Sequence, residues 1–285
     1  MPRKLRRTSA FLKILTLLTA VCGLLVAGGY ALMVSVEPLE VEEEDPVDEC
    51  VVGDGEDTHT LDPEQAANAA TISGVAFSRD LPEQSVVIAY ATVWQESKFF
   101  NIEYGDRDSL GLFQQRPSQE WGEPEQLMDP VYTSDAFYER LEEIQDYEEM
   151  PVYEAAQLVQ RSADGFAYDQ HEEISRHMAK ALGGTQGNSV TCRFTEGVGK
   201  QAADIDGARE EIRRVFGVGV NDLPVSQEPR TGDLGWAMAQ WAVTHAQEYG
   251  LNSVTYGDQR WNANPDQEGW FSVDDPAPEG RLVLD

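Results

Sequence analysis

The chain has 285 residues, with 51 Asp and Glu against 21 Lys and Arg, and a formal net charge of −30. So acidic a composition argues against nucleic acid as a partner and against adhesion to anionic lipid. The length allows one large domain or two of ordinary size.

The first elements are not part of a folded core. Residues 1–9 form a basic segment (Arg3, Lys4, Arg6, Arg7), and residues 10–34 are almost wholly apolar. That run matches the roughly 20 residues that a bilayer-spanning helix needs. Basic residues before it and acidic residues after it place the N-terminus in the cytoplasm and the rest outside, as a single-pass protein of the cell membrane. The competing expectation is a cleaved signal peptide. Its apolar core is shorter and ends at a small-x-small site, whereas here Gly29 to Val34 stays apolar, which favours an uncleaved anchor. Cys22 falls inside the run and reads as a membrane-helix residue. Five of the 21 basic residues precede residue 14 and no acid precedes Glu37, so the external part carries 16 basic residues against 51 acids, a formal charge of −35.

Residues 35–59 read as an acidic, proline-containing linker. Cys50 and Cys192 are the two cysteines outside, and an even pair in an oxidising compartment is expected to be bridged, two free thiols being the alternative. Residues 60–184 read as a mainly α domain. Asp62-Pro63-Glu64-Gln65 has the makings of a capped helix start. Pro82 opens a second helix ending near Glu96, and Asp129-Pro130 a third. Pro151 opens a fourth, and a fifth spans Phe166 to Leu182 before Gly183-Gly184. Residues 185–199 read as a linker. Residues 200–285 read as a small α+β domain, with helices at 206–216 and 236–249 and a strand at 252–256. Most of Trp236, Trp241, Trp261 and Trp270 are expected to pack its core, stacking on sugar rings being the alternative.

The chemistry centres on Glu96. Cutting a glycosidic bond needs a carboxyl group that is still protonated when it meets the bridging oxygen. A glutamate at the C-terminal end of an apolar helix, among Trp94, Phe99 and Phe100, meets the negative pole of the helix dipole and loses solvent. Both favour the neutral acid. Eighteen residues on, Gln114 offers a donor and an acceptor for sugar hydroxyl and N-acetyl groups, and Gly111 lets backbone approach a bulky chain.

The segment Glu96-Ser97-Lys98-Phe99-Phe100-Asn101, followed by Gly111-Leu112-Phe113-Gln114-Gln115-Arg116-Pro117, resembles the lytic transglycosylase and goose-type lysozyme families over roughly residues 64–182. The resemblance implies a lysozyme-like fold acting on the MurNAc–GlcNAc bond of peptidoglycan glycan strands. A single acid/base, Glu96, serves there, with the muramyl 6-hydroxyl as nucleophile and no cofactor. It also implies substrate contacts at Gly111, Phe113 and Gln114. Two positions depart from the family pattern. Gly105 stands where a Ser is common, and Gln157 and Gln160 replace the Asn of an Ala-Tyr-Asn motif. Gln160 or Gln157 is the candidate for that hydrogen bond and Tyr168 for the hydroxyl. Asp106 and Asp108 are the candidates for a second carboxylate, which would allow attack by water; their alternative is a structural role in the turn with Arg107. A non-catalytic peptidoglycan-binding or envelope-scaffold protein with the same fold is the competing functional reading.

No metal site is expected. Asp106-x-Asp108 begins like a calcium loop but meets Leu110 at the third ligand and Pro117 at the twelfth position. The four histidines lack metal-ligand spacing.

Overall fold

The computed structural model describes residues 4–35, 47–161, 166–195, 197–198, 202–223, 233–264 and 269–285. Its contacts divide the chain into two units, Met1–Asp45 and Pro46–Asp285. In the first, helix α1 (Lys4–Ser35) includes Leu12–Tyr30, a 19-residue stretch long and apolar enough to cross a membrane. Every side chain from 12 to 30 is exposed. Residues 36–46 of the expected acidic linker lie outside the described residues.

The second unit begins inside that expected linker, with strands β1 (Glu49–Val52) and β2 (His59–Leu61). Helix α2 (Pro63–Ser78) follows, its N-terminus closed by a capping box: the Asp62 side chain accepts from the first-turn backbone while Gln65 accepts from Asp62 N. Next come α3 (Glu83–Glu96), the short α4 (Pro124–Leu127), α5 (Pro130–Glu142), α6 (Val152–Gln160), α7 (Phe166–Asp169) and α8 (Glu172–Leu182). The single helix expected over 166–182 is thus two, broken at Gln170-His171. Strand β3 (Val190–Arg193) falls within the expected linker 185–199. It pairs antiparallel with β1, which lies between β2 and β3. In that register Cys50 faces Cys192, and the two form a disulfide.

Helices α9 (Ile205–Phe216), α10 (Leu234–Thr244) and α11 (Ala246–Tyr249) precede a second antiparallel sheet. Its strands are β4 (Ser253–Tyr256), β5 (Gln259–Asn262), β6 (Trp270–Ser272) and β7 (Leu282–Leu284), in the order β6-β5-β4-β7. The protein is therefore a mixed α+β chain with one N-terminal apolar helix.

Residues 46–285 share one core. Helix α2 is buried along most of its length because α3, α5, α9 and α10 all pack on it. Its alanines and Gly74 allow this crowding. A Cβ on Gly74 would meet Val215 Cγ1 at 2.3 Å and the Phe216 ring at 2.9 Å. The α10 contact carries a closed polar network. Trp241 Nε1 donates to Thr71 Oγ1 (3.1 Å), which lies 3.4 Å from His245 Nε2, and His245 Nδ1 is 2.8 Å from Trp241 O. Burial depresses the His245 pKa to about 4. A neutral ring meets both contacts, with Nδ1–H donating and Nε2 accepting. Trp241 and Trp261 are fully buried, as the sequence leads one to expect of core tryptophans. Trp236 and Trp270 are half-buried, edge to face with one another 5.3 Å apart.

Candidate active site

Glu96 is the last residue of α3, so its side chain leaves the helix where backbone carbonyls run out of partners. The chain then turns through two consecutive non-glycine residues in the left-handed region, Lys98 (φ 55°) and Phe99 (φ 63°). Such conformations cost about 1–3 kcal/mol each and persist only where the surroundings impose them. Here the first two turns of α2 impose them. Gln65 Nε2 donates to Lys98 O (2.8 Å), Asn68 Nδ2 to Phe99 O (2.8 Å), and Asn101 N to Glu64 Oε1 (3.0 Å). The Phe99 ring is fully buried, edge-on to Tyr90 and Trp94.

Ser97 joins the two halves of the motif: its hydroxyl donates to Leu112 O at 2.7 Å. The Glu-Ser pair was in view in the sequence, but nothing local to it announces this link. Gly111 is left-handed (φ 72°), and a Cβ there would fall 2.1 Å from Leu127 O. Its need for glycine therefore comes from the chain's own backbone, in place of the expected approach of substrate. Phe113 also corrects an expectation. Its ring is fully buried and stacked on Phe137 at 4.6 Å, so it serves the core. Its carbonyl serves the site, accepting from Gln160 Nε2 at 2.7 Å.

Gln114, a further left-handed residue (φ 49°), folds back on its own loop, donating to Gly111 O (3.1 Å) and Tyr104 O (3.4 Å). Gly105 makes room for it: a Cβ on Gly105 would sit 1.9 Å from Gln114 Oε1. Gln114 thus braces the loop that carries Tyr104. The departure at Gly105 has a local cause.

The carboxyl of Glu96 is half-buried. Burial is the largest influence on its pKa, raising it above the ordinary 4.5, against hydrogen bonds from Tyr168 and Gln160 that pull it down. Tyr168, itself buried, donates its hydroxyl to Glu96 Oε1 at 2.8 Å. The structure so gathers Glu96, Gln160 and Tyr168 from α3, α6 and α7. On one side Glu96 opens onto a cleft of about 510 Å³, whose lining includes Glu64, Ser97, Lys98, Asn101 and Tyr104.

Asp106 and Asp108 do not line that cleft. Asp106 is exposed, 3.8 Å from Arg107. Asp108 accepts from Arg116 Nε (2.7 Å), Ser118 N (2.8 Å) and Ser118 Oγ (3.0 Å). The two Ser118 bonds, then Arg116, hold its carboxyl well below the usual range. Gln157 lies on α6. Among the described residues no group of three His, Cys, Asp or Glu is placed to hold a metal ion.

A half-buried carboxyl whose pKa is raised by burial, and which opens on a cleft beside a strained, over-determined turn, is suited to general acid work. No protein-family model and no curated protein matches the chain.

Proposed function

We propose that this protein cleaves the MurNAc–GlcNAc bond of peptidoglycan, with Glu96 as the proton donor, on a lysozyme-like fold formed by the helices of residues 61–182. The observation that carries the reading is the state of Glu96. Burial and the C-terminal pole of α3 favour the protonated acid, and the group still reaches a cleft. Tyr168 and Gln160 hold the carboxyl in one orientation, which is what proton delivery to a bridging oxygen demands. The apolar stretch of α1 anchors the protein in the cell membrane, N-terminus inside, with residues 46–285 facing the wall.

Full-length protein in detergent should release soluble muropeptides from purified sacculi. Glu96→Gln, close in shape, should abolish that release and leave the far-ultraviolet circular dichroism unchanged. Release by the variant at the wild-type rate, or sacculus binding without turnover by the wild type, refutes the reading.

A further inference from the structure

A second cavity, of about 440 Å³, lies where α2, α5, α9, α10 and α11 meet. Small-molecule sites usually enclose about 300–1,000 Å³. Its charged lining is all of one sign: Glu64, Glu211 and Glu248. The His245 ring adds no charge, because burial depresses its pKa to about 4. Arg214 donates to Glu211 Oε1 at 2.7 Å from outside the lining, whereas Glu248 has no ion pair among the described residues. Burial, and then the Glu211 charge, raise the Glu248 pKa above its ordinary 4.5. That is the condition of a carboxyl group short of a cation.

Asn68 is an independent observation of the same chemistry. Its side chain is only 8 % exposed and lines the cavity. Nδ2 donates to Phe99 O, but Oδ1 accepts from no described residue. That oxygen is not sealed in protein, so it faces the open space. The hydroxyl hydrogens of the lining are already spent. Thr71 lies against His245 Nε2, Thr244 donates to Trp241 O (2.9 Å), and Tyr249 bonds to Glu248. The cavity thus offers acceptors and negative charge, beside the apolar surfaces of Ala67, Pro130 and Val131. A primary ammonium has three donors and no acceptor, and answers both needs.

We propose that this cavity binds an aliphatic primary amine, with its charge answered by Glu211 and Glu248, one of its hydrogen bonds by Asn68 Oδ1, and its stem by the apolar side. A free diamine and the side chain of a diamino acid in a peptide both present that chemistry. The cavity shares Asn68 with the turn beside Glu96, but amine binding does not depend on Glu96 being an acid.

The test titrates full-length protein in detergent, at about 0.15 M salt, with 1,5-diaminopentane, Nα-acetyl-lysinamide and 1-pentanol, read by calorimetry. At least one amine should bind at one per chain, with millimolar affinity or tighter, and raise the thermal midpoint. The alcohol, with the same stem and no charge, should do neither. The tighter of the two amines identifies the source, free diamine or peptide residue. Glu248→Gln keeps the shape and should weaken amine binding about tenfold or more. Val131→Phe fills the cavity without removing a charge and should abolish it. Asp275→Asn removes an exposed acid outside the lining and should leave the affinity unchanged. No saturable binding by either amine, equal binding of the alcohol, an affinity untouched by Glu248→Gln or by Val131→Phe, or an equal loss in Asp275→Asn would each overturn the proposal. None of these outcomes bears on muropeptide release, so the reading of Glu96 stands or falls separately.

Discussion

The end of α3 and the turn from Asp108 to Ser118 each hold a carboxyl group that the sequence offered for chemistry, and the two are built in opposite ways. Glu96 is withdrawn from water and meets a tyrosine hydroxyl and an amide, neither of which carries charge. Asp108 stays near solvent and receives three hydrogen bonds, one from a guanidinium. The first environment raises the pKa of its carboxyl group, whereas the second lowers it. Donors spent on a carboxylate also fix the loop around it, so Asp108 serves architecture.

The largest expected effect is the split between the two groups. Glu96→Gln should reduce muropeptide release by about 10²-fold or more, while Asp108→Asn should lower the thermal midpoint and leave the rate per folded molecule unchanged. An Asp108→Asn enzyme that is fully folded but inactive would break the comparison.

A second effect separates cost from use. Because the folded-state pKa of Glu96 lies above the ordinary 4.5, the unfolded chain ionises first as pH rises. Stability contributed by the protonated form is therefore present below pH 4.5 and is lost as pH rises through the folded value. Glu96→Gln should raise the thermal midpoint at pH 7 relative to wild type, and the gain should vanish below pH 4.5. A variant less stable than wild type at pH 7 would contradict this account.

The smallest effect sharpens the comparison. The Tyr168 hydroxyl bond holds the Glu96 pKa down, so Tyr168→Phe should shift the alkaline limb of the pH–rate profile to higher pH and leave the acid limb in place. An unmoved alkaline limb would show that the bond only packs the side chain.

Much of the helical framework was legible because its signals are local. Asp62-Pro63, Pro82, Asp129-Pro130 and Pro151 each open a helix, and capping chemistry needs only neighbours in sequence. The strands were less legible. β1 and β3 are four residues each and make sense only when residues 50 and 192 are brought together. The breaks at Gln170-His171 and His245 fall within continuous helical patterns, without a proline or glycine to announce them. In the candidate site, the spacing of Glu96 to Gln114 did not disclose the contacts made there. Gln114 braces a loop, Phe113 lends a carbonyl, and Ser97 makes the link between segments. Glu64 and Gln65 were read only as helix-start residues, and Asn68 was not singled out. Their grip on Lys98, Phe99 and Asn101 spans more than 30 positions, and no local pattern encodes such a contact.

The Cys50–Cys192 bridge has a mechanical consequence. Residue 46 is where the second unit begins, and β1 is its first strand. A pull on the N-terminal segment enters the molecule there. Because β1 is hydrogen-bonded on both edges and covalently tied to β3, the load passes into the sheet before it reaches α2. The 142-residue loop closed by the bridge, worth about 5 kcal/mol by chain-entropy accounting, contains both Glu64 and Glu96. Tension on the N-terminal segment would then be shunted across the base of that loop, and the cleft within it would keep its shape.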